Sequence, residues 1–159
     1  MTRAVLIAVL GLVGCLRPPE KLAGVYERVS VRDAATSPRE GIAVRWGGQI
    51  VSMRPGKQQT CFEIVGMPLD AQARPQPSDQ SQGRFLACAP GYYEPTTYLP
   101  GREVTVVGAL HGVTVGKVGD YDYTFPRVDA TTIYLWPERT ARGGWSPPVA
   151  ISIGGIFGH

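Results

Sequence analysis

The stretch "IAVRWGGQIVSM", residues 42–53, sets the fold class of this chain. Its apolar side chains fall first on one face of an extended strand and then on the other: Ile42, Val44 and Trp46, followed by Val51 and Met53. Alternation of this kind is typical of a half-buried β-strand. A β-bulge inserts one residue and exchanges the two faces, and a glycine inside a strand often marks one. We therefore predict a strand that begins at Ile42 and carries a bulge at Gly47-Gly48.

Further strand signals continue as far as residue 137. They are "TCFEIVGM" (60–67), "GRFLACA" (83–89), "REVTVVGALHGVTVG" (102–116), "DYDYTFP" (120–126) and "VDATTIYLW" (128–136). The segment 102–116 is apolar on both faces and is predicted to be a central, buried strand. A proline-rich loop, residues 68–82, precedes "GRFLACA". Five or six strands with glycine kinks in about a hundred residues predict an all-β domain, a small OB-like closed barrel over residues 41–137.

The chain opens with an apolar run, "AVLIAVLGLVG", at residues 4–14. A helix of that length would reach about 16 Å, which is half of the ~30 Å hydrocarbon core of a bilayer. The run is therefore too short to span a membrane as a helix. Arg3 precedes it and "RPPEK" follows it at 17–21, which is the layout of a secretory signal. We predict that residues 1–14 are a signal peptide.

The run ends in Leu12-Val13-Gly14-Cys15, which resembles the lipobox of bacterial lipoproteins. In that motif the cysteine thiolate takes a diacylglycerol from a lipid, and the signal protease needs a small residue before it. Gly14 and Cys15 are thus the predicted cleavage site, and Cys15 is the predicted lipid attachment. Two or more acyl chains hold a protein stably on a membrane. Because Leu16 and not Asp follows the cysteine, the enterobacterial sorting rule predicts the outer membrane.

These signals divide the chain into four parts. After the signal peptide, residues 15–40 are polar and broken by prolines, and they are predicted to be the lipidated cysteine and a short tether. A helical turn is expected in this segment near "VRDAATS" (31–37). The barrel follows over residues 41–137, and residues 138–159 form a tail rich in glycine and aromatic residues. The tail is either a flexible end or a segment that touches the membrane or a partner.

The charge balance restricts the choice of partners. Sixteen Lys and Arg residues stand against thirteen Asp and Glu, a net charge of +3, and loss of Arg3 with the signal peptide lowers it to +2. A nearly neutral domain has no electrostatic reason to bind nucleic acid. We expect membrane lipid as the partner of the acylated Cys15, with a cell-wall or envelope-protein partner for the domain.

Six stretches of the chain are similar to one known family. They are "VRWGGQIV", "EIVGMPLD", "QGRFLA", "GYYEPTTY", "GREVTVVGALHG" and "YDYTFPRVDATTIYLWP", in this order over residues 45–137. Together they resemble the Slp family of outer-membrane lipoproteins, named for a starvation-inducible member. The resemblance implies a lipid-anchored protein on the periplasmic face of the outer membrane, with a non-enzymatic envelope or stress-related role. It brings no enzyme activity, cofactor or catalytic residue.

Motifs for catalysis or metal binding are missing from the sequence. "GVTVGKV" at 112–118 departs from a phosphate loop in its glycine spacing and in its last residue. His111 and His159 are the only histidines, and no Gly-x-Ser-x-Gly stretch accompanies them. Asp120 and Asp122 would share one strand face, which is common on a solvated surface and rarely catalytic. We expect no enzyme activity, no cofactor and no metal site.

Aromatic residues give the alternative hypothesis. Seven of them lie in the predicted barrel: Trp46, Tyr92, Tyr93, Tyr98, Tyr121, Tyr123 and Trp136. OB barrels bind oligonucleotides and oligosaccharides on one face, where aromatic rings can stack on the ligand. The candidate ligand face consists of Trp46, Tyr92, Tyr93, Tyr121 and Tyr123. Exposure of several rings on one concave face would indicate a periplasmic glycan- or peptidoglycan-binding module, whereas buried or scattered rings would remove its support.

The cysteines support one further prediction. Lipidation of Cys15 leaves Cys61 and Cys88, an even pair in an oxidising compartment. They lie in "TCFEI" and "FLACA", two predicted strands that can pair antiparallel. We predict a Cys61–Cys88 disulfide, with two separate buried thiols as the alternative. The strand pattern leaves open whether both side chains point to the same face.

Overall fold

The computed structural model describes residues 17–139 of the chain. Two short helical segments come first, a 3₁₀ turn at Glu20–Leu22 and the helix α1 at Val31–Thr36. Five strands follow: β1 (Glu40–Pro55), β2 (Gln59–Met67), β3 (Arg84–Pro90), β4 (Glu103–Val118) and β5 (Tyr121–Leu135). The last two predicted strand segments are therefore one continuous strand. In this part of the chain no helix has both the length and the apolar character that crossing a membrane requires.

The strands close into a barrel in the order β1-β2-β3-β5-β4 and back to β1. Neighbouring strands run antiparallel except β3 and β5, which are parallel and pair Leu86 with Arg127 and Cys88 with Asp129. A five-stranded Greek-key barrel of this kind is an OB fold. The predicted fold class, an all-β and OB-like barrel, is confirmed.

The inward faces of all five strands fill the barrel with apolar side chains. β2 illustrates the pattern, because Thr60, Phe62 and Ile64 are fully buried while Cys61 and Glu63 between them are only partly buried. Full burial of an aliphatic or phenyl side chain contributes roughly 1.5–3 kcal/mol each. The alternation leaves the outward positions of the strands available for other contacts.

The bulge predicted in β1 lies between Ile50 and Ser52, and not at Gly47-Gly48. Ile50 belongs to the core, so the exchange of faces takes place after it. The two glycines instead allow neighbouring strands to approach closely. A side-chain carbon at Gly48 would overlap the carbonyl oxygen of Val65 from β2. The prediction of a face change was correct, and its position was wrong by a few residues.

The prediction of a buried strand over residues 102–116 is correct only for the first half of β4, which is largely buried up to Leu110. β1 begins at Glu40, opposite His111, so β4 lacks this partner beyond that point. There β4 and β5 continue as a two-stranded ribbon, residues 111–126, which we call the β4–β5 arm. Most of the arm's side chains on β4 are exposed to solvent.

Part of the predicted tether, residues 15–40, belongs to the folded domain. The helix α1 forms where a helical turn was expected, and its N-terminal cap is Ser30, whose Oγ accepts the backbone N–H of Asp33 at 3.0 Å. Val31 and Ala34 of α1 are buried in the barrel core. Because apolar side chains of this segment pack on the barrel, the prediction of a tether is wrong for residues 20–36.

A second apolar cluster joins the two ends of the described chain on one wall of the barrel. Leu22, Ala73 and Trp136 are buried together, with Leu69, Val107 and Tyr134 partly buried around them. Residues 17–28, the loop 68–76 and residues 134–139 therefore meet outside β4 and β5. We call this wall the terminal face.

Candidate functional site

A groove runs over the outward face of β2 and β3. Its floor comes from outward side chains of these strands, and its walls come from the β1–β2 turn and the β4–β5 arm. Its volume is about 460 Å³. OB barrels bind their ligands at this place, on the face of strands two and three between the first and the last hairpin loops. The position makes the groove the candidate functional site.

The lining of the groove is polar and carries a positive excess. Arg54, Lys117 and Arg127 stand against Glu63, which gives the lining side chains a net charge of +2. Phe125 is the only aromatic residue of the lining and is 4% exposed, so the groove presents no open ring for stacking. The chemistry suits an acidic or polar partner better than a stacked base or sugar.

Two ion pairs and one histidine–carboxylate contact orient polar side chains beside the groove floor. Arg84 Nη1 lies 2.5 Å from Glu63 Oε1, across the β2–β3 pair. Arg127 Nη2 lies 3.0 Å from Asp129 Oδ1, and His111 Nδ1 lies 3.2 Å from the other oxygen of the same carboxylate. Ion pairs exposed to this degree contribute about 0–1 kcal/mol to stability. Their main effect is to fix the direction of the side chains that a partner would meet.

Cys61 and Cys88 lie on the groove floor, directly opposite each other in the β2–β3 register. Their Cα atoms are 4.0 Å apart and their sulfur atoms are bonded at 2.08 Å. Both side chains therefore point to the outer face, which the strand pattern had left open. A Cα separation below about 7 Å is what a disulfide requires without backbone movement.

The predicted aromatic ligand face is not assembled, because most of its rings are used in packing. Trp46 is buried in the core, where its ring centroid lies 5.2 Å from that of Phe85. Tyr93 is partly buried against the same core. The hydroxyl of Tyr123 accepts the backbone N–H of Arg84 at 2.8 Å. These three positions of the prediction are therefore structural.

The two exposed tyrosines of the predicted face lie far from each other. Tyr92 is 66% exposed and follows the end of β3, whereas Tyr121 is 81% exposed and begins β5. β3 and β5 run parallel with Cys88 beside Asp129, so Tyr92 lies beyond this pair and Tyr121 well before it, toward opposite ends of the two strands. The glycan-binding hypothesis loses the observation on which it depended.

Of the two remaining aromatic residues, Trp136 is buried in the terminal face. Tyr98 packs beside Tyr93, with ring centroids 5.1 Å apart. Burial, and to a smaller extent the neighbouring Tyr93, raises the pKa of Tyr98 above its ordinary value of 10.0. The Tyr98 hydroxyl therefore remains protonated at neutral pH and belongs to the packing.

The groups weighed for catalysis lie on the solvent side of the β4–β5 arm. Asp122 is bound by Lys117 Nζ at 3.0 Å, and Asp120 is exposed in the turn at the tip. His111 is exposed as well, at the base of the arm, with Asp129 as its partner. Across residues 17–139 there is no group of three or more His, Cys, Asp or Glu side chains that could hold a metal ion.

Sequence reasoning found the two cysteines of the groove and missed its charged residues. The outward positions of Glu63 and Arg127 carried a signal, because each is a charged residue between two buried neighbours of a strand. Combined with the known ligand position of OB barrels, that signal would have located the groove. Gly14 and Cys15 lie outside the described residues, so their role in cleavage and lipid attachment remains a prediction.

The described residues form a small OB-type domain with a groove on its outer surface. Residues 12–151 match the model of the outer membrane lipoprotein Slp family. The chain belongs to this family, as the sequence resemblance implied, and it is accordingly an outer-membrane lipoprotein.

Three similar proteins cover most of the chain. An uncharacterized protein of Haemophilus influenzae is 35% identical over 137 residues, which are 82% of this chain and 73% of that protein. The uncharacterized lipoprotein YeaY of Escherichia coli is 33% identical over 132 residues, 80% of this chain and 67% of YeaY. The outer membrane protein Slp of Escherichia coli is 30% identical over 146 residues, 87% of this chain and 77% of Slp.

Among solved structures, the chain is similar to a small single-stranded DNA-binding protein from Streptomyces coelicolor. The TM-score is 0.40 and the sequence identity is 17%, over 60% of this chain and 94% of that one.

Proposed function

We propose that the mature protein is anchored to the outer membrane by acyl chains on Cys15, faces the periplasm, and has a non-enzymatic role in the envelope. Membership of the outer membrane lipoprotein Slp family is the observation that carries this proposal. The Leu12–Cys15 motif at the end of a short apolar run supports the attachment site. An anchor of two or more acyl chains is needed for stable binding, since one chain binds only marginally.

Replacement of the anchor residue tests the proposal. Cys15→Ser offers no thiolate to accept a diacylglycerol, so lipid labelling should be lost and an uncleaved precursor should accumulate. The measurement is metabolic labelling with a clickable fatty acid, followed by flotation of membranes. Cys61→Ser is the matched control and should keep both labelling and flotation. A Cys15→Ser chain that is still labelled and cut after Gly14 would contradict the proposed anchor.

The domain's role in this proposal is to hold a cell-wall or envelope-protein partner in the groove. The support is the position of the groove on an OB barrel and its net charge of +2. Enzyme chemistry is not part of the proposal, because no catalytic motif was found in the sequence and the family is described as a lipoprotein family.

Photo-cross-linking in intact cells tests the groove. A photoreactive residue in place of Val115, on the groove wall, should form adducts with envelope material. Arg54→Glu replaces a positive charge of the lining by a negative one and should lower the adduct yield several-fold. Arg39→Glu makes the same charge change at an exposed position outside the groove and should leave the yield unchanged. Equal yields in the two variants would contradict partner binding in the groove.

A further inference from the structure

The connection between the predicted anchor and the folded domain is very short. Leu22 is fully buried and Glu20–Leu22 form a 3₁₀ turn, so only residues 15–19 connect the lipid-bearing cysteine to the domain. Five extended residues span at most about 17 Å. A connection of that length keeps the entry point of the domain within about 17 Å of the lipid-bearing cysteine and restricts how the barrel can turn.

Leu22 is fixed to the terminal face by polar as well as apolar contacts. Its side chain is buried with Ala73 and Trp136, and its carbonyl oxygen accepts a hydrogen bond from Arg45 Nη1 at 2.7 Å. The point at which the chain enters the domain is therefore a fixed point on the terminal face. The terminal face is therefore the wall nearest to the proposed anchor.

Beside that fixed point the chain presents one aliphatic side chain to the outside. Val25 is 97% exposed, and it follows Gly24, which has a φ of 147°. Two contacts of Tyr26 stabilise this turn. Its hydroxyl donates to the Ala23 carbonyl at 2.8 Å, and the Arg45 guanidinium lies over its ring. Glu27 then donates its backbone N–H to β1. Val25 is thus held outward on a fixed turn.

The net charge of residues 17–28 is too small to direct the terminal face to a membrane. Residues 17–28 contain three basic residues, Arg17, Lys21 and Arg28, and two acidic ones, Glu20 and Glu27. A net charge of +1 gives little attraction to anionic headgroups. Contact with the leaflet must therefore follow from the short connection and from the exposed valine, and it should depend little on salt.

We propose that the terminal face rests on the phospholipid leaflet that carries the anchor, with Val25 at the level of the headgroups. This inference depends on acylation of Cys15 as proposed above. The placement of the terminal face on the leaflet also determines the direction in which the groove opens. The terminal face lies over β1 near Arg45 and outside β4 and β5, whereas the groove lies on β2 and β3. The groove therefore opens away from the membrane, toward the periplasm.

Fluorescence quenching tests the orientation. The acylated mature chain is reconstituted in vesicles of phosphatidylethanolamine and phosphatidylglycerol that contain a lipid with a quencher in its headgroup. A thiol-reactive dye is placed at Val25→Cys on the terminal face or at Val115→Cys on the groove wall, and both valines are exposed. Quenching should be several-fold stronger at position 25 and insensitive to salt. Equal quenching at both positions, with the protein floating with the vesicles, would overturn the orientation but leave the anchor intact.

A variant with a longer connection tests whether the short connection is the cause of the proposed orientation. About twenty Gly and Ser residues inserted after Leu16 add roughly 25 Å of flexible reach. Flotation should persist, while quenching at position 25 should fall to the level at position 115. Unchanged quenching would contradict the short connection as the cause, and failure of the original chain to float would overturn the anchor and this inference together.

Discussion

At the scale of single residues, Thr105 connects three distant parts of the chain through one buried hydroxyl. The indole Nε1 of Trp136 donates to Thr105 Oγ1 at 2.9 Å, and this hydroxyl donates to the Ala73 carbonyl at 2.6 Å. Thr105 is fully buried, so water does not replace either partner. The terminal face is thus held by a polar relay as well as by apolar packing.

Removal of the Thr105 hydroxyl should lower the stability of the protein. Thr105→Val keeps the shape of the side chain but leaves a buried indole N–H and a buried carbonyl unpaired, at a cost of about 1–3 kcal/mol for such a group. We expect the free energy of unfolding to fall by about 2 kcal/mol in urea denaturation. Thr105→Ser keeps the hydroxyl and should lose less. Equal losses in the two variants would show that the relay adds nothing to stability.

At this scale the disulfide was predictable from the sequence, and the packing of the aromatic residues was not. The Cys61–Cys88 disulfide was predictable from the number of cysteines and from the oxidising compartment. The fate of Trp46 was not, because its partner Phe85 lies on another strand that is distant in sequence. An aromatic residue in a barrel looks the same in sequence whether its ring faces the core or the solvent. The predicted ligand face was wrong for that reason.

At the scale of elements, the sequence revealed that the buried face of β1 changes, but neither the residue at which it changes nor the elements that pack on each face. The face change in β1 was visible, yet the bulge lies between Ile50 and Ser52 and the glycines serve close strand approach. The second half of β4 has the apolar pattern of a buried strand, but β1 is too short to cover it. The length of a neighbouring strand cannot be deduced from the pattern of the strand itself.

The β2–β3 pair supports a prediction on stability. The Cys61–Cys88 bond spans 27 residues of sequence and closes the proline-rich loop. The chain-entropy model gives a stabilisation of roughly 3.5 kcal/mol for a loop of that size. A Cys61→Ala, Cys88→Ala double variant should lose about that much in urea denaturation, and reductant should destabilise only the native chain. Recovery of two free thiols from unreduced, denatured native protein would contradict the bond.

At the scale of the whole molecule, the fold class was predictable, and the meeting of the first and last described residues on one wall of the barrel was not. Strand count, glycine kinks and loop composition were enough for an OB-like barrel. The burial of Leu22 depends on Ala73 and Trp136, which are far away in sequence. The predicted tether therefore looked longer than it is. In the orientation that we propose, the length of this segment decides how the barrel lies relative to the membrane.

The mass of the N-terminal peptide tests the central claim most directly. The protein is purified from outer membranes of the bacterium that makes it, digested, and analysed by mass spectrometry. We predict that the first peptide begins at Cys15 and carries a diacylglycerol on sulfur and a third acyl chain on the amine. A first peptide that begins upstream of Gly14, or an unmodified Cys15, would contradict the account of this protein as a lipid-anchored outer-membrane lipoprotein.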